Sequence, residues 1–394
     1  MNKKIIFILI TVVAQTFIFG FFNHFPENPA EIADREHSEI YVPGFQHSFR
    51  LQNSLLTMKE FGTIFQEGHF ITDEEKKTLT RKDLELSFRY NADLLSFGRK
   101  YWNVKFTADA FGSVNILDKQ YTELVLYGNE ADKQYTANSG EGSSANMLFR
   151  TIINYAYPTP FVFETPVSPI KLYLGANVNF YFPELYAEAV KSTQEFGSMQ
   201  TGAYYDLNSE YLLSDEKSYG RLSPGIGLGA KAEFLNGNFH FSLDDIFGVL
   251  RYKNLLNGSY ENVYEDTLFY FEEDFEPFEE ETIDDSSRIS EKNISIPTAV
   301  SVGAEYLFLD NYTAFVKYKY SMFTAKNGFS LGVGYDQFEM PIQLSFGIDE
   351  EPWYEVRTGF IYSKFELLFS GIFYNGFFDN LKGFGVETGL KFKF

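Results

Sequence analysis

The sequence contains no cysteine. That absence excludes a disulfide-stapled secreted scaffold and a lipid-anchored lipoprotein, because each needs a thiol. Histidine is scarce too, at five residues, and these do not cluster at the spacing a metal site requires. Basic residues are outnumbered, 33 Lys and Arg against 54 Asp and Glu, for a formal net charge of −21. No basic patch is left to hold nucleic acid or an anionic membrane surface. Beyond the amino-terminus there is no apolar run of the ~18 residues that a membrane-spanning helix needs. Even the richest stretch, 365–378, is broken by Glu366, Ser370 and Asn375.

What is abundant is Phe and Tyr, 44 and 27 residues against two Trp. So large an aromatic load in a chain without long apolar runs suits strands that cross a membrane, with an apolar outer band and aromatic girdles at both interfaces. The closing residues show the pattern most clearly. Phe384, Val386, Thr388, Leu390, Phe392 and Phe394 share one face, and Gly385, Glu387, Gly389, Lys391 and Lys393 share the other. A period of two between an apolar and a charged face describes a strand lying between two solvents.

The same alternation recurs along the chain. Leu84, Leu86, Phe88 and Tyr90 oppose Glu85, Ser87, Arg89 and Asn91, and Trp102, Val104 and Phe106 oppose Asn103, Lys105 and Thr107. Further strands are expected near 47–57, 61–70, 147–156, 170–180, 226–235 and 239–252. After residue 296 they follow closely at 298–308, 312–320, 328–335, 341–348, 354–363 and 365–374, before the closing strand. The total is about fourteen, within a range of twelve to sixteen, and short turns alternate with longer loops as a two-sided barrel requires. Segment 184–196 is read as a helix in a loop or on the rim. Glycines at alternate strand positions, such as Gly225, Gly227 and Gly229, are read as sites of backbone bending and close approach within the lumen. A water-soluble sandwich would also alternate, but with shorter strands.

The ends and one interior block complete the organisation. Lys3 and Lys4 precede an apolar run that ends near Gly20, so residues 1–20 are expected to be an export signal. Residues 21–45 carry Pro26, Pro29 and Pro43, which break regular structure, and this segment is placed in the lumen as a plug. Residues 46–394 form the barrel. Between Lys253 and Arg288 there is no basic residue, while 261–285 hold twelve carboxylates, so a long acidic loop is expected at about 257–293. Carboxylates there could bind Ca²⁺, although the Asp and Gly spacing of an EF-hand is missing.

Asn28-Pro29-Ala30, just before the first strand, resembles the motif found at that place in the superfamily of the long-chain fatty acid transporter FadL and the PorV-like secretion barrels. The stretch FSLDDIFGVLRYKN at 241–254 is similar to a recurring segment of the uncharacterised DUF5723 barrels. The terminal Phe392 and Phe394 resemble the assembly signal of outer-membrane barrels. The resemblance implies an outer-membrane barrel whose amino-terminal segment occupies the lumen, with Asn28, Pro29 and Ala30 at issue. Its implied partners are outer-membrane lipid, the barrel-assembly machinery and a hydrophobic small-molecule ligand.

An enzyme is the competing class. His240 and Ser242 share a strand face, which permits the pairing of base and nucleophile, and they resemble the His-x-Ser of outer-membrane phospholipase A. That family continues Ser-Asn-Gly, whereas Leu243 and Asp244 follow here. Phe239, Phe241 and Leu243 form the apolar face, so His240 and Ser242 are expected to line the lumen rather than meet lipid.

The expected protein is an all-β transmembrane antiparallel barrel in a bacterial outer membrane, with no catalytic residue, metal or cofactor. Its expected function is that of a gated channel or transporter for a small or hydrophobic molecule. The alternative is a non-transporting structural or docking barrel of an envelope or secretion complex.

Overall fold

The computed structural model describes residues 28–34, 39–41, 46–66, 68–128, 133–138, 140–199, 202–266, 281–308, 311–323, 327–335, 340–349 and 351–393. Fourteen antiparallel strands close into one barrel. The wall runs Gln46–Asn53, Leu84–Arg99, Trp102–Leu117, Ser144–Ala156, Ile170–Met199, Ser223–Phe234 and Gly237–Ile246. It continues Ala299–Phe308, Tyr312–Tyr320, Gly328–Tyr335, Ile342–Ile348, Pro352–Tyr362, Phe365–Tyr374 and Gly383–Lys393. Closure is made where Gln46–Asn53 pairs on one side with Leu84–Arg99 and on the other with the last strand. No edge is left unpaired at that seam, which is what a bilayer demands of backbone polar groups.

Side-chain parity decides which way the wall faces. Along Ile342–Ile348, Ile342, Leu344 and Ile348 are exposed, whereas Gln343, Ser345 and Gly347 are buried. Along Gly328–Tyr335, Phe329, Leu331 and Val333 are exposed and Ser330, Gly332 and Gly334 are buried. The apolar face is therefore the outer one and the polar face looks inward, the reverse of a water-soluble barrel. Trp102, Tyr155, Tyr306, Tyr312 and Tyr362 are exposed near the turns at one end, where an aromatic girdle belongs. Among the described residues no helix is long and apolar enough to cross a membrane. The protein spans a bacterial outer membrane with strands.

Tight connections such as those at Lys100–Tyr101, Leu235–Asn236 and Ser363–Lys364 lie at one end together with the connection 157–169, and the longest connections, 54–83, 118–143 and 247–298, lie at the other. By the usual orientation of such barrels the first end is periplasmic and the second external. At the external end Ile170–Met199 runs past its lower neighbours and pairs with Gly202–Leu213, which pairs with Val249–Asp266, which pairs with Glu281–Ser295. These strands extend the sheet beyond the wall.

That extension corrects two expectations. Segment 184–196 is strand, not helix, because its backbone groups pair with Ser144–Ala156 and then Lys133–Ala137 on one side and with Gly202–Leu213 on the other. The expected acidic loop at 257–293 is largely a hairpin, paired from Val249↔Ser295 to Val263↔Glu281, with 267–280 outside the described residues. The strand expected at 61–70 is instead the helix Met58–Ile64 followed by a turn. Thr57 and Glu60 form a reciprocal capping box at its start, and Thr72 and Glu75 do the same for Asp73–Leu79. The strand expected at 239–252 divides at Gly248 into two.

Candidate functional site

The lumen is polar in the middle, apolar at its external end, and occupied along one side of its periplasmic end by part of the amino-terminal segment. Residues Pro29–Asp34 form a short 3₁₀ turn against the inner faces of the strands Ser144–Ala156, Ile170–Met199 and Ser223–Phe234. Asn28 Nδ2 donates to the Ala230 carbonyl at 2.9 Å, and the Asn28 carbonyl side-chain oxygen caps the turn by accepting from Ala30 N at 3.0 Å. Ala30, Ile32 and Ala33 pack with Ala156 and Tyr173 as a small buried cluster.

Two glycines make room for this seat. A Cβ on Gly175 would lie 2.4 Å from the Pro29 carbonyl carbon and 2.5 Å from Ala30 N, and one on Gly229 would lie 2.1 Å from Asn28 Oδ1. Gly229 is among the glycines expected from the sequence to permit close backbone approach. The structure brings Asn28, Pro29 and Ala30 to Gly175 and Gly229, which stand opposite each other in adjacent strands.

Glu31, next in the chain, is met by two basic side chains from the wall. His240 Nδ1 lies 2.6 Å from Glu31 Oε1, and Lys231 Nζ lies 3.5 Å from Glu31 Oε2. The other ring nitrogen, His240 Nε2, lies 3.5 Å from Glu305 Oε1. His240 and Lys231 face each other across the ladder, which is why one carboxylate reaches both. Sequence spacing offered no sign of these partners, since they stand about two hundred residues away. Ser242 is buried on the same inner face as His240, away from lipid.

Beyond the seat, the polar middle of the lumen encloses a cavity of about 390 Å³. Its charges are largely paired within the wall. Arg150 meets Asp109 through Nε at 2.6 Å and Nη2 at 3.1 Å, and Lys105 meets Asp93 at 2.9 Å. Arg357 bridges Glu355 at 3.2 Å and Glu387 at 3.1 Å, and Lys391 meets Glu366 at 3.2 Å. Charges paired in this way can stay ionised away from bulk water. Of the terminal-strand residues, Glu387 and Lys391 do line the lumen, and Phe392 packs on Phe365 with ring centroids 4.1 Å apart. Phe394 lies outside the described residues.

The external end of the cavity is closed by an apolar cluster. Phe111, Leu148, Tyr181 and Tyr186 from the wall pack with Leu250, Tyr252 and Leu255 of the outer extension. Phe323 enters from the loop after Tyr312–Tyr320, stacking on Tyr181 at 6.2 Å and lying 4.0 Å beneath the Arg150 guanidinium. Arg89 holds that loop inward by donating to the carbonyls of Ser321, at 3.3 Å, and Met322.

A closed fourteen-stranded barrel with an apolar exterior, a charge-paired lumen and a chain segment seated inside it defines a transmembrane β-barrel of the outer-membrane class. No family model matches the chain, and no curated protein does. Similar solved structures include the toluene transporter TodX of Pseudomonas putida, at 10% identity over 93% of this chain and 92% of that one, with a TM-score of 0.44. The toluene transporter TbuX of Ralstonia pickettii is similar at 9% identity over 93% and 92%, also at 0.44. The outer membrane phospholipase A of Escherichia coli is similar at 9% identity over 89% and 94%, at 0.25.

Proposed function

We propose that this barrel passes a small molecule across the outer membrane through a lumen gated by residues 21–45. The observation that carries the proposal is the seat of Asn28–Ala33, in which backbone fits against Gly175 and Gly229 while Glu31 is held by Lys231 and His240. A purely structural barrel has no need of a shaped groove for its own leader. The cavity of about 390 Å³ matches a small ligand in size. Its aromatic external cap offers apolar surface and its middle offers fixed charge, so a small molecule with an apolar body fits both. The likeness of Asn28-Pro29-Ala30 to the fatty acid transporter superfamily supports the same role for the segment, and the likeness of 241–254 to the DUF5723 barrels is compatible with it.

The proposal includes residues 1–20 as the export signal and the terminal strand, with Phe392 and Phe394, as the mark read by the barrel-assembly machinery. It involves no catalytic step. Liposomes bearing the full chain and a form lacking residues 21–45 test it by uptake of small solutes and of a fatty acid. Uptake should rise in the shortened form. Uptake no greater than that of empty liposomes in both forms would favour a docking barrel of an envelope complex.

A further inference from the structure

Two consecutive carboxylates turn into the lumen where the strand Gly237–Ile246 should present only one. Alternation puts Asp244 on the inner face with His240 and Ser242, and would aim Asp245 outward. Instead Asp245 takes φ +57°, and the register against Ser223–Phe234 slips between Ile226 and Leu228. Both carboxylates then border the lumen cavity, and Asp245 is 2% exposed. Bulges of this kind re-aim a side chain at a particular target.

The target is a group of oxygens with too few donors. Asn177 and Asn179, on the facing stretch of Ile170–Met199, are 3% and 0% exposed. Their Oδ1 atoms accept no hydrogen bond, and neither does the buried hydroxyl of Ser301. A Cβ on Gly227 would fall 2.4 Å from Asp244 Oδ1 and 2.5 Å from Asn177 Oδ1, so the missing side chain is what lets the two oxygens converge. The donors present serve one oxygen of each carboxylate. Asn179 Nδ2 donates to Asp244 Oδ1 and Asp245 Oδ1, each at 2.8 Å, Asp245 N donates to Asp244 Oδ1 at 2.9 Å, and the Tyr181 hydroxyl donates to Asp245 Oδ1. The nearby Arg150 is engaged by Asp109.

Buried acceptors are ordinarily satisfied, and buried charges are ordinarily paired. We propose that Asp244, Asp245 and Asn177 form a site for a hard divalent cation of calcium's size, opening onto the lumen, with the Asn179 amide N–H orienting the two carboxylates. Among the described residues no three His, Asp or Glu side chains gather to hold a metal, so the two carboxylates share the task with the neutral amide oxygen of Asn177. That mixture of carboxylate, amide and water oxygen is the chemistry Ca²⁺ accepts in flexible arrangements, whereas Mg²⁺ demands a tighter octahedron. Zinc would call for nitrogen or sulfur, and the nearest imidazole, His240, faces Glu31 and Glu305. The site lies beside the seat of the amino-terminal segment, two residues along the same strands at Gly227 and Asn177, and does not depend on the transport reading.

Tb³⁺ is the probe, because a Tyr181 hydroxyl bonded to Asp245 places a sensitising ring beside the bound ion. The full chain in detergent, freed of metal by a chelator, should show tyrosine-sensitised Tb³⁺ luminescence that Ca²⁺ displaces and Mg²⁺ displaces at least tenfold less well. Asp244→Asn should weaken Ca²⁺ competition at least tenfold, and Tyr181→Phe should dim the signal with little change in affinity. Asn177→Ala, which leaves every charge in place, should weaken Ca²⁺ in the same direction and decides the matter if Asp244→Asn does not fold. Luminescence and Ca²⁺ competition unchanged in both variants would assign the ion to the acidic exterior and overturn the proposal. So would equal displacement by Mg²⁺, or the absence of any ion binding.

Discussion

Replacing Gly175 with alanine should unseat the amino-terminal segment while leaving the wall intact. The new methyl carbon would sit 2.4 Å from the Pro29 carbonyl carbon, 2.5 Å from Ala30 N and 2.7 Å from the Pro29 oxygen. Ordinary contacts of this type lie near ~3.5–4.0 Å, so about 1 Å of separation must be found. All three atoms are backbone and cannot swing aside, and the segment must move as a body. Overpacking of this kind costs about 1–3 kcal/mol, and losing the Asn28 to Ala230 hydrogen bond adds about 1 kcal/mol. Taking about 3 kcal/mol in all, the unseated population should rise roughly 100-fold.

The absence of native cysteine makes this measurable. A single thiol introduced by Ala33→Cys, at a position 5% exposed, would react with a bulky maleimide only from the unseated state. Its labelling rate should rise about 100-fold when Gly175→Ala is added, in proportion to that population. Gly371→Ala serves as the control, since its Cβ would meet only the Phe373 ring at 3.5 Å and should leave the rate unchanged. Equal labelling rates in the Gly175→Ala and Gly371→Ala backgrounds would refute the reasoning.

Three further outcomes follow from other parts of the molecule. Trp102 is exposed in the lipid-facing girdle at the periplasmic end and Trp353 is buried, so brominated lipid should quench Trp353→Phe strongly and Trp102→Phe weakly; the reverse order would contradict the assigned parity. Asp109→Ala leaves the buried Arg150 uncompensated and should destabilise the barrel by about 3–5 kcal/mol in reversible urea unfolding, whereas Asp109→Asn with Arg150→Met should cost clearly less. In the external connection, the Thr72 backbone N–H donates to Glu75 and His69 lies beside it, holding Glu75 at about 2 instead of 4.5. A depressed carboxylate contributes fully above its unfolded value, so this cap should be intact above pH 4.5 and lost as pH falls through about 2. Carbon-13 titration of Glu75 with a midpoint near 4.5 would show that the cap does not form.

The strand parity was legible because membrane and lumen impose opposite chemistry on alternate residues, and Leu331 with Ser330 or Leu344 with Gln343 could be assigned from sequence alone. Segment 184–196 misled because Leu185, Ala189 and Phe196 give no clean period of two. A bulge near Val190, where the pairing shifts between Ala189 and Lys191, interrupts the alternation that marks a strand. The Thr57–Glu60 and Thr72–Glu75 boxes were readable in the sequence and outweigh the aromatic residues that suggested a strand at 61–70. Charge alone does not separate a loop from a hairpin in the acidic block, because the backbone pairing with Gly202–Leu213 joins segments distant in the sequence.

The site was less legible than the fold for a physical reason. Asn28-Pro29-Ala30 could be singled out, but its seat depends on which glycines the ladder sets side by side, and register is a property of pairs of strands. Gly175 and Gly229 become neighbours only when Ile170–Met199 and Ser223–Phe234 pair, and Glu31 finds His240 and Lys231 only after closure.

Planar-bilayer recording tests the gated passage most directly. The full chain should show low, intermittent conductance, Gly175→Ala more frequent opening, and the form lacking residues 21–45 steady conductance. Identical conductance in all three, whether open or closed, would contradict a gate formed by the amino-terminal segment.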